Sequence, residues 1–279
     1  MKKNLILILS LITLTVFAQG EANIWYFGNH AGVDFNSGSP LALTNGQLNT
    51  EEGCASLSTA MGQLLFYTDG ITVYNKNHQV MQNGNGLMGH TSSTQSATII
   101  PKPGSVTLFY IFTIDAEAFP NGFRYSIIDI TLDSGLGGVT SDKNILIYAP
   151  TSEKISITKH ANNIDYWIIT HGWNSNSFYA HLLTSSGLSS IPITGNTGVS
   201  TLSPSGSSHS SQGYMKIAPN SSKLAICHSW DLGVLQLFDF NNNTGVISNP
   251  QTLLTQPGGI YGLEFSPNSE VLYMSDNQF

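Results

Sequence analysis

The chain has 279 residues, of which 41% are hydrophobic and 10% are charged, and its formal net charge is -7 at pH 7. The acidic balance and the single arginine, Arg124, argue against binding to nucleic acid or to an anionic membrane surface, because both need clustered cations. The abundance of Gly, Ser, Thr, Asn and aromatic residues favours short strands joined by tight turns over a helical bundle.

The N-terminus reads as a signal peptide covering residues 1–18. Two lysines are followed by an apolar run, and Ala18 is a small residue suited to cleavage before Gln19. The run is short for a membrane span, and an uncleaved anchor is the alternative. We therefore expect an exported protein, secreted or on the outer cell surface, with residues 19–279 as one domain and no stable membrane insertion of that domain.

The rest of the chain is built from strand-like segments. Residues 23–35 alternate apolar and other positions around a turn, which predicts two short strands. Four units follow, each with four strand segments separated by turn signals, and a further unit starts at Tyr261 with two segments. The four complete units span residues 54–81, 96–148, 155–193 and 214–254.

The second strands of these units recur at similar distances. Their starts are separated by 44, 57, 58 and 47 residues, which indicates one repeated blade with loops of variable length. The predicted starts are Leu64, Leu108, Asp165, Lys223 and Glu270.

One motif occurs twice in the last two units. Met215–Ile226 returns 48 positions later as Leu263–Met274. In both copies apolar residues alternate with other residues on each side of a Pro-Asn-Ser turn. Proline presets a turn, and Asn and Ser hydrogen-bond their own backbone there, so each copy predicts a β-hairpin.

Together these patterns predict an all-β chain, a β-propeller of four-stranded antiparallel blades. A pair of irregular β-sandwiches is the alternative, but sandwiches show no such period. Because the fifth unit stops after its second strand, we expect an incomplete ring with about five blades' worth of chain. A closed small propeller, completed by the N-terminal strands, is the other interpretation.

Several segments resemble the N-terminal region of large type IX-secreted, gliding-motility-associated cell-surface proteins. The resemblance implies a propeller-like region that precedes immunoglobulin-like or PKD modules and a C-terminal sorting domain, and it brings no catalytic residues with it. The sorting signal has no counterpart in this chain. The segments that carry the resemblance are Trp25-Tyr26-Phe27-Gly28, Ala31–Phe35, Glu52–Ser56, Leu64–Gly70, Ser92–Ser96, Tyr166–Gly172 and Tyr261–Pro267.

The candidate site residues are few. Cys54 and Cys227 could form a disulfide in an exported protein, or pack as two separate buried thiols. Trp173 and Trp230 lie in predicted loops, where they could stack on sugars or anchor a protein; packing between blades is the alternative. The eight histidines show no metal-ligand spacing, although His160 and His171 flank one predicted hairpin. The sequence therefore predicts no metal and no cofactor.

No contiguous catalytic motif is present. The chain has no Gly-x-Ser-x-Gly elbow and no phosphate-binding loop. Its adjacent acidic pair, Glu51-Glu52, would point to opposite faces of a strand. These observations predict a non-enzymatic binding or adhesion module for an extracellular protein or glycan. A polysaccharide hydrolase or lyase is the alternative, which three or more charged groups converging at one mouth of the channel would favour.

Overall fold

The computed structural model describes residues 20–202, 206, 208–256 and 258–276. The predicted signal peptide and its cleavage point, Ala18 and Gln19, lie outside these residues, so export stays a prediction. No helix in the described ranges is both long enough and apolar enough to cross a bilayer.

The described residues form antiparallel sheets that follow one another along the chain. Sheet 1 contains β1 (Ile24–Phe27), β2 (Ala31–Asp34) and β3 (Leu41–Leu43). Sheet 2 contains β4 (Ala55–Ser58), β5 (Leu64–Thr68), β6 (Thr72–Asn75) and β7 (Val80–Asn85). Sheet 3 contains β8 (Ala97–Pro101), β9 (Leu108–Ile114), β10 (Phe123–Asp129), β11 (Gly138–Val139) and β12 (Ile145–Tyr148).

The remaining three sheets repeat this arrangement. Sheet 4 contains β13 (Thr151–Lys159), β14 (Tyr166–Gly172), β15 (Ser177–Thr184), β16 (Gly187–Leu188) and β17 (Ile193–Asn196). Sheet 5 contains β18 (Met215–Ile217), β19 (Lys223–His228), β20 (Val234–Asn241) and β21 (Val246–Thr255). Sheet 6 contains β22 (Ile260–Phe265) and β23 (Leu272–Asp276). Short helical turns lie at Gly20–Ala22, Leu132–Gly135 and Ser208–Ser211.

The predicted units are confirmed at their second strands. These begin at Leu64, Leu108, Tyr166, Lys223 and Leu272, within two residues of the predicted starts. The fourth strand predicted for the third unit, at residues 189–193, is wrong, because β16 ends at Leu188 and β17 begins at Ile193. One parallel pair, Gly138 with Gln82, also joins sheets 2 and 3 along their outer edges.

The repeated motif forms the same hairpin twice. In the first copy the Ser221 N–H donates to the Ala218 carbonyl at 2.7 Å, and in the second the Ser269 N–H donates to the Ser266 carbonyl at 2.8 Å. Ser221 and Ser269 both have a positive φ, of 57° and 64°. The two turns therefore share one backbone geometry, as the Pro-Asn-Ser sequence predicts.

The core is a series of apolar layers, one between each sheet and the next. Tyr26 of sheet 1 stacks on Tyr67 of sheet 2 at 4.5 Å between ring centroids. Similar layers join every later pair of sheets. Sheets 2 to 5 thus bury both faces against their neighbours, whereas sheets 1 and 6 each pack on one neighbouring sheet. This is the packing of propeller blades, and it confirms the predicted fold class.

The first strands of sheets 2 to 6 line a central channel. One cavity of about 380 Å³ is lined by β4, β8 and β18 together, so strands from non-adjacent sheets face each other across it. A second cavity in the same channel is lined by β8, β13, β18 and β22.

The disulfide considered above is not formed. Both Cys54 and Cys227 are free thiols. Cys227 is fully buried between sheets 5 and 6, where its Sγ lies 2.8 Å from the Tyr261 carbonyl oxygen. Burial raises the pKa of each thiol to about 11, so both pack as small apolar groups.

Candidate functional site

The starts of the first strands meet at one end of the channel. The residues that gather there precede or begin the first strands of four different sheets. Direct hydrogen bonds join residues that are 59 to 167 positions apart in the sequence. We call this end the channel mouth. Its central side chains are Glu52, Thr94, Gln95, Glu153, Lys154 and Tyr261.

Thr94, which leads into sheet 3, contacts residues in, or leading into, three further sheets at the mouth. Its hydroxyl donates to the Glu153 carboxylate at 2.9 Å, and it accepts from the Tyr261 hydroxyl at 3.0 Å and from the Gly213 N–H at 3.2 Å. The donor and both acceptor positions of the hydroxyl are therefore used.

Glu153 is a buried carboxylate with a full set of donors. Its Oε2 accepts from the Thr94 N–H at 2.8 Å and from the Thr94 hydroxyl, while Oε1 accepts from the Glu117 N–H at 2.9 Å. The side chain has no exposed surface. A buried carboxylate so completely bonded holds loops together rather than reacting with a substrate.

Gln95 makes a second bridge just inside the channel. Its side-chain amide bonds the backbone of Ile155 at 2.7 and 3.1 Å and also accepts from the Met215 N–H at 3.1 Å. One side chain thereby ties β13 and β18 to the loop before β8.

Lys154 holds the loop that closes the mouth on one side. Its Nζ donates to the carbonyl oxygens of Ser211, Gln212 and Gly213 at 2.7, 2.5 and 3.1 Å. All three donors of a fully buried ammonium are thus satisfied by backbone. Gly213 has a φ of +99°, and an added Cβ would lie 2.8 Å from Cys227 Sγ, so the loop requires glycine there.

Glu52 differs from Glu153 because it faces the cavity. It lines the 380 Å³ space together with Thr94, Tyr214 and Lys216. Its Oε2 is buried and has no hydrogen-bond partner among the described residues. Burial is the main cause that raises the Glu52 pKa to about 7. Tyr261 opposes it, and the charges of Glu153, Glu51 and Glu117 add smaller increases. A carboxyl group with this pKa can take up and release a proton near neutral pH.

A positive charge lies in the same cavity. Lys216 lines it, pairs with Glu264 at 2.9 Å between Nζ and Oε2, and lies 5.5 Å from the centroid of the Tyr214 ring. Glu52 is the one carboxylate among the described residues that line this cavity.

The outer rim of the mouth carries polar and aromatic side chains. The Ser208 hydroxyl donates to Glu117 at 2.8 Å, and His209 Nε2 lies 3.7 Å from the same carboxylate. Trp230 is 44% exposed and donates from Nε1 to the Gln212 side chain at 2.6 Å. Its ring centroid lies 5.3 Å from that of His209.

The structure separates the residues that the sequence singled out. Trp230 lies at the rim of the mouth, whereas Trp173 lines a different cleft between sheets 3 and 4. His160 and His171 do not meet: His160 contacts a hairpin turn through Asn243, and His171 is buried 5.3 Å from His228 between ring centroids. No group of three or more metal-ligating side chains occurs within the described residues.

Glu153 and Lys154 were missed by sequence reasoning. The signal that could have found them is positional: Glu52, Thr94, Glu153 and Gln212 each stand two residues before the predicted first strand of a unit. Equivalent positions of a radial repeat come together at one end of the channel.

Comparison with known proteins supports the fold but assigns the chain to no family. No protein-family model and no curated protein matches the chain. A periplasmic gluconolactonase from Pseudomonas aeruginosa superposes with a TM-score of 0.54 at 12% identity, over 88% of this chain and 69% of that one.

Two further solved structures are similar. A protein from Bacteroides uniformis assigned as a 6-phosphogluconolactonase has a TM-score of 0.47 and 14% identity over 88% of this chain and 69% of that one. A carbohydrate-active enzyme of family AA12 from Trichoderma reesei has a TM-score of 0.46 and 10% identity over 93% and 91%. The resemblance to gliding-motility-associated surface proteins stays a prediction.

The prediction of a non-enzymatic protein is wrong. It rested on the absence of contiguous catalytic motifs, yet a protein named as a gluconolactonase has this fold. The mouth also brings together Glu52, Glu117 and the adjacent pair Glu153 and Lys154 from three separate segments, which is the convergence of charge that favours a hydrolase.

Proposed function

We propose that the chain is a hydrolase whose active site is the channel mouth, and that it opens the ester bond of a sugar lactone. The observation that carries the proposal is Glu52, a carboxyl group with a pKa of about 7 and an unpartnered oxygen, on a cavity that also contains Lys216. The fold alone implies no activity, and the name of the Pseudomonas aeruginosa neighbour supports the substrate class.

The proposed reaction needs one base and one cation. The Glu52 carboxylate takes a proton from a water molecule as the water oxygen attacks the lactone carbonyl carbon. The Lys216 ammonium stabilises the negative charge that develops on the carbonyl oxygen. The tetrahedral intermediate then breaks its ring C–O bond, and the departing oxygen takes the proton back from Glu52. Lactone and water give one hydroxy acid.

Cleavage of a polysaccharide fits this cavity less well. Glycoside hydrolysis uses two carboxyl groups that flank the bond, whereas Glu52 is the one carboxylate among the described residues lining the cavity, and Glu153 is already bonded by three donors. A volume of about 380 Å³ is near the lower end for ligand sites and suits a single sugar ring.

The direct test is hydrolysis of D-glucono-1,5-lactone by the full chain, followed as proton release above the spontaneous rate. Glu52→Gln should lower kcat/KM by roughly 10²- to 10⁴-fold, the usual contribution of a general base. Glu270→Gln, at an exposed hairpin turn remote from the mouth, is the matched control and should keep the full rate. A wild-type rate equal to the spontaneous one, or an unchanged Glu52→Gln rate, contradicts the proposal.

A further inference from the structure

A second cleft lies away from the channel, between the outer strands of sheets 3 and 4. It has a volume of about 510 Å³, and none of its described lining residues is Asp, Glu, Lys or Arg. It shares no lining residue with the cavity of Glu52. The side chains that shape it are Tyr148, Pro150, Trp173, Tyr179, His181 and Pro192.

The walls of the cleft are aromatic and fixed. Tyr148 and Tyr179 pack edge to face at 5.0 Å between ring centroids. The Tyr148 hydroxyl is anchored 2.6 Å from the Thr170 hydroxyl, to which it donates, so that ring cannot swing into the cleft. Such a surface offers flat apolar contact at low entropic cost.

Trp173 differs from the other tryptophans of the chain. The indole N–H groups of Trp25, Trp167 and Trp230 donate at 2.7, 2.8 and 2.6 Å. Trp173 Nε1 has no hydrogen-bond partner within the described ranges, and its side chain is half-buried on the cleft. It therefore keeps a free donor at the edge of an aromatic surface.

His181 supplies an acceptor. Its Nδ1 lies 2.8 Å from the Ser189 carbonyl oxygen, which can only accept, so Nδ1 carries the proton. The side chain is 2% exposed, and Nε2 has no partner among the described residues. In the neutral ring Nε2 is then an unsatisfied acceptor, which is costly to leave unpaired. The Tyr179 hydroxyl likewise has no described partner.

We propose that this cleft is a binding site for a neutral pyranose sugar. Trp173 and Tyr179 contact the apolar C–H face of the ring, and a sugar hydroxyl donates to His181 Nε2. A proline-rich segment would also suit aromatic walls, but it presents carbonyl acceptors and few donors, and the unpartnered imidazole nitrogen requires a donor. The absence of charged side chains from the described lining favours a neutral ligand over an acidic one.

The test is binding of methyl β-D-glucopyranoside, methyl β-D-galactopyranoside and methyl α-D-mannopyranoside to the full chain, measured by ligand-observed NMR and titration. At least one should bind the wild type with a Kd of roughly millimolar order, since one small ring offers few contacts. Trp173→Ala should weaken that binding by at least about tenfold, a typical effect of removing an aromatic anchor.

Two controls separate this cleft from other surfaces. Trp25→Ala removes a tryptophan that is 51% exposed on sheet 1, and Glu52→Gln alters the channel mouth; both should bind the same glycoside as the wild type does. His181→Phe keeps a buried ring but removes the acceptor, and it should weaken binding as Trp173→Ala does.

The proposal is overturned if none of the three glycosides binds the wild type, or if Trp173→Ala binds as tightly as wild type. It is also overturned if Glu52→Gln abolishes the binding, which would place the sugar in the channel, or if decaproline binds and the glycosides do not. A failure of lactone hydrolysis leaves this test unaffected, because the two sites have different residues and different readouts.

Discussion

The carboxylate of Glu153 accepts two hydrogen bonds from Thr94, at 2.8 Å from the backbone N–H and 2.9 Å from the hydroxyl, across 59 residues of sequence. The same threonine contacts Gly213 and Tyr261. This pair therefore joins the loops that lead into the third, fourth, fifth and sixth sheets, and the cavity of Glu52 depends on it for shape.

Glu153→Gln should destabilise the fold. In either orientation the new amide NH₂ faces a backbone N–H, that of Glu117 or that of Thr94, so one bond becomes a donor–donor contact. We expect the free energy of unfolding to fall by about 1–3 kcal/mol, measured by urea denaturation at pH 7. Glu270→Gln, on the exposed hairpin of sheet 6, should stay within about 0.5 kcal/mol of wild type. Equal midpoints for the two variants would contradict the role given to Glu153.

The pH dependence of lactone hydrolysis should follow Glu52. Because the base must be ionised, activity should rise with pH around a midpoint near 7, well above the ordinary value of 4.5 for a glutamate. The measurement is kcat/KM from pH 5 to 8.5, corrected for spontaneous hydrolysis.

Two neighbouring substitutions should move this midpoint in opposite directions. Tyr261→Phe removes a group that lowers the Glu52 pKa, so the midpoint should rise. Glu117→Gln removes a nearby negative charge that raises it, so the midpoint should fall. Shifts of the same sign in both variants would rule out Glu52 as the titrating base.

Acid should weaken the fold through its buried imidazoles. Burial and the charge of Lys154 lower the His171 pKa to about 3 and hold the His228 pKa well below 6.5. As the pH falls, these two histidines are protonated in the unfolded chain before they are protonated in the folded one. Their contribution to the free energy of unfolding is therefore complete above pH 6.5 and is lost as the pH falls from 6.5 towards 3. The slope per histidine is about 1.4 kcal/mol per pH unit.

Carboxylates titrate in the same range, so the comparison is between variants. His171→Leu should show a shallower loss of unfolding free energy between pH 6.5 and 4 than wild type. Parallel curves for wild type and His171→Leu would contradict the buried neutral state of His171.

Lys154→Met should be strongly destabilising. It removes a donor from three buried backbone carbonyls. The Gln212 carbonyl still accepts from the Ser229 N–H at 3.3 Å, whereas those of Ser211 and Gly213 lose the donor described for them. The change should cost about 2 kcal/mol or more of unfolding free energy. Lys143→Met is a matched control because Lys143 Nζ also donates to three oxygens, of Asn83 and Asn85, but at the surface. Water replaces that lysine, so the control should lose about 0.5 kcal/mol or less. Equal losses in the two variants, by chemical denaturation, would contradict the argument.

The strands and the fold class follow from local rules that a single sequence displays. Alternation with period two gives one buried face, and turn residues mark where each hairpin reverses, so starts such as Lys223 and Leu64 are predicted to the residue. The repeat period then favours a radial arrangement, because blades of equal length must bury their faces on each other.

Only the tertiary structure brings together the residues of the channel mouth. Glu52 and Glu153 are 101 positions apart in the sequence, and neither belongs to a contiguous motif, so their proximity depends on how many degrees each sheet turns about the channel. The sequence places both Trp173 and Trp230 in loops. In the structure the Trp230 indole donates to Gln212, whereas the Trp173 indole keeps a free donor on a separate cleft. Local patterns set backbone conformation because those energies act over a few residues. Burial, pKa and hydrogen-bond partners depend on neighbours far away along the chain, so the coordinates alone assign them.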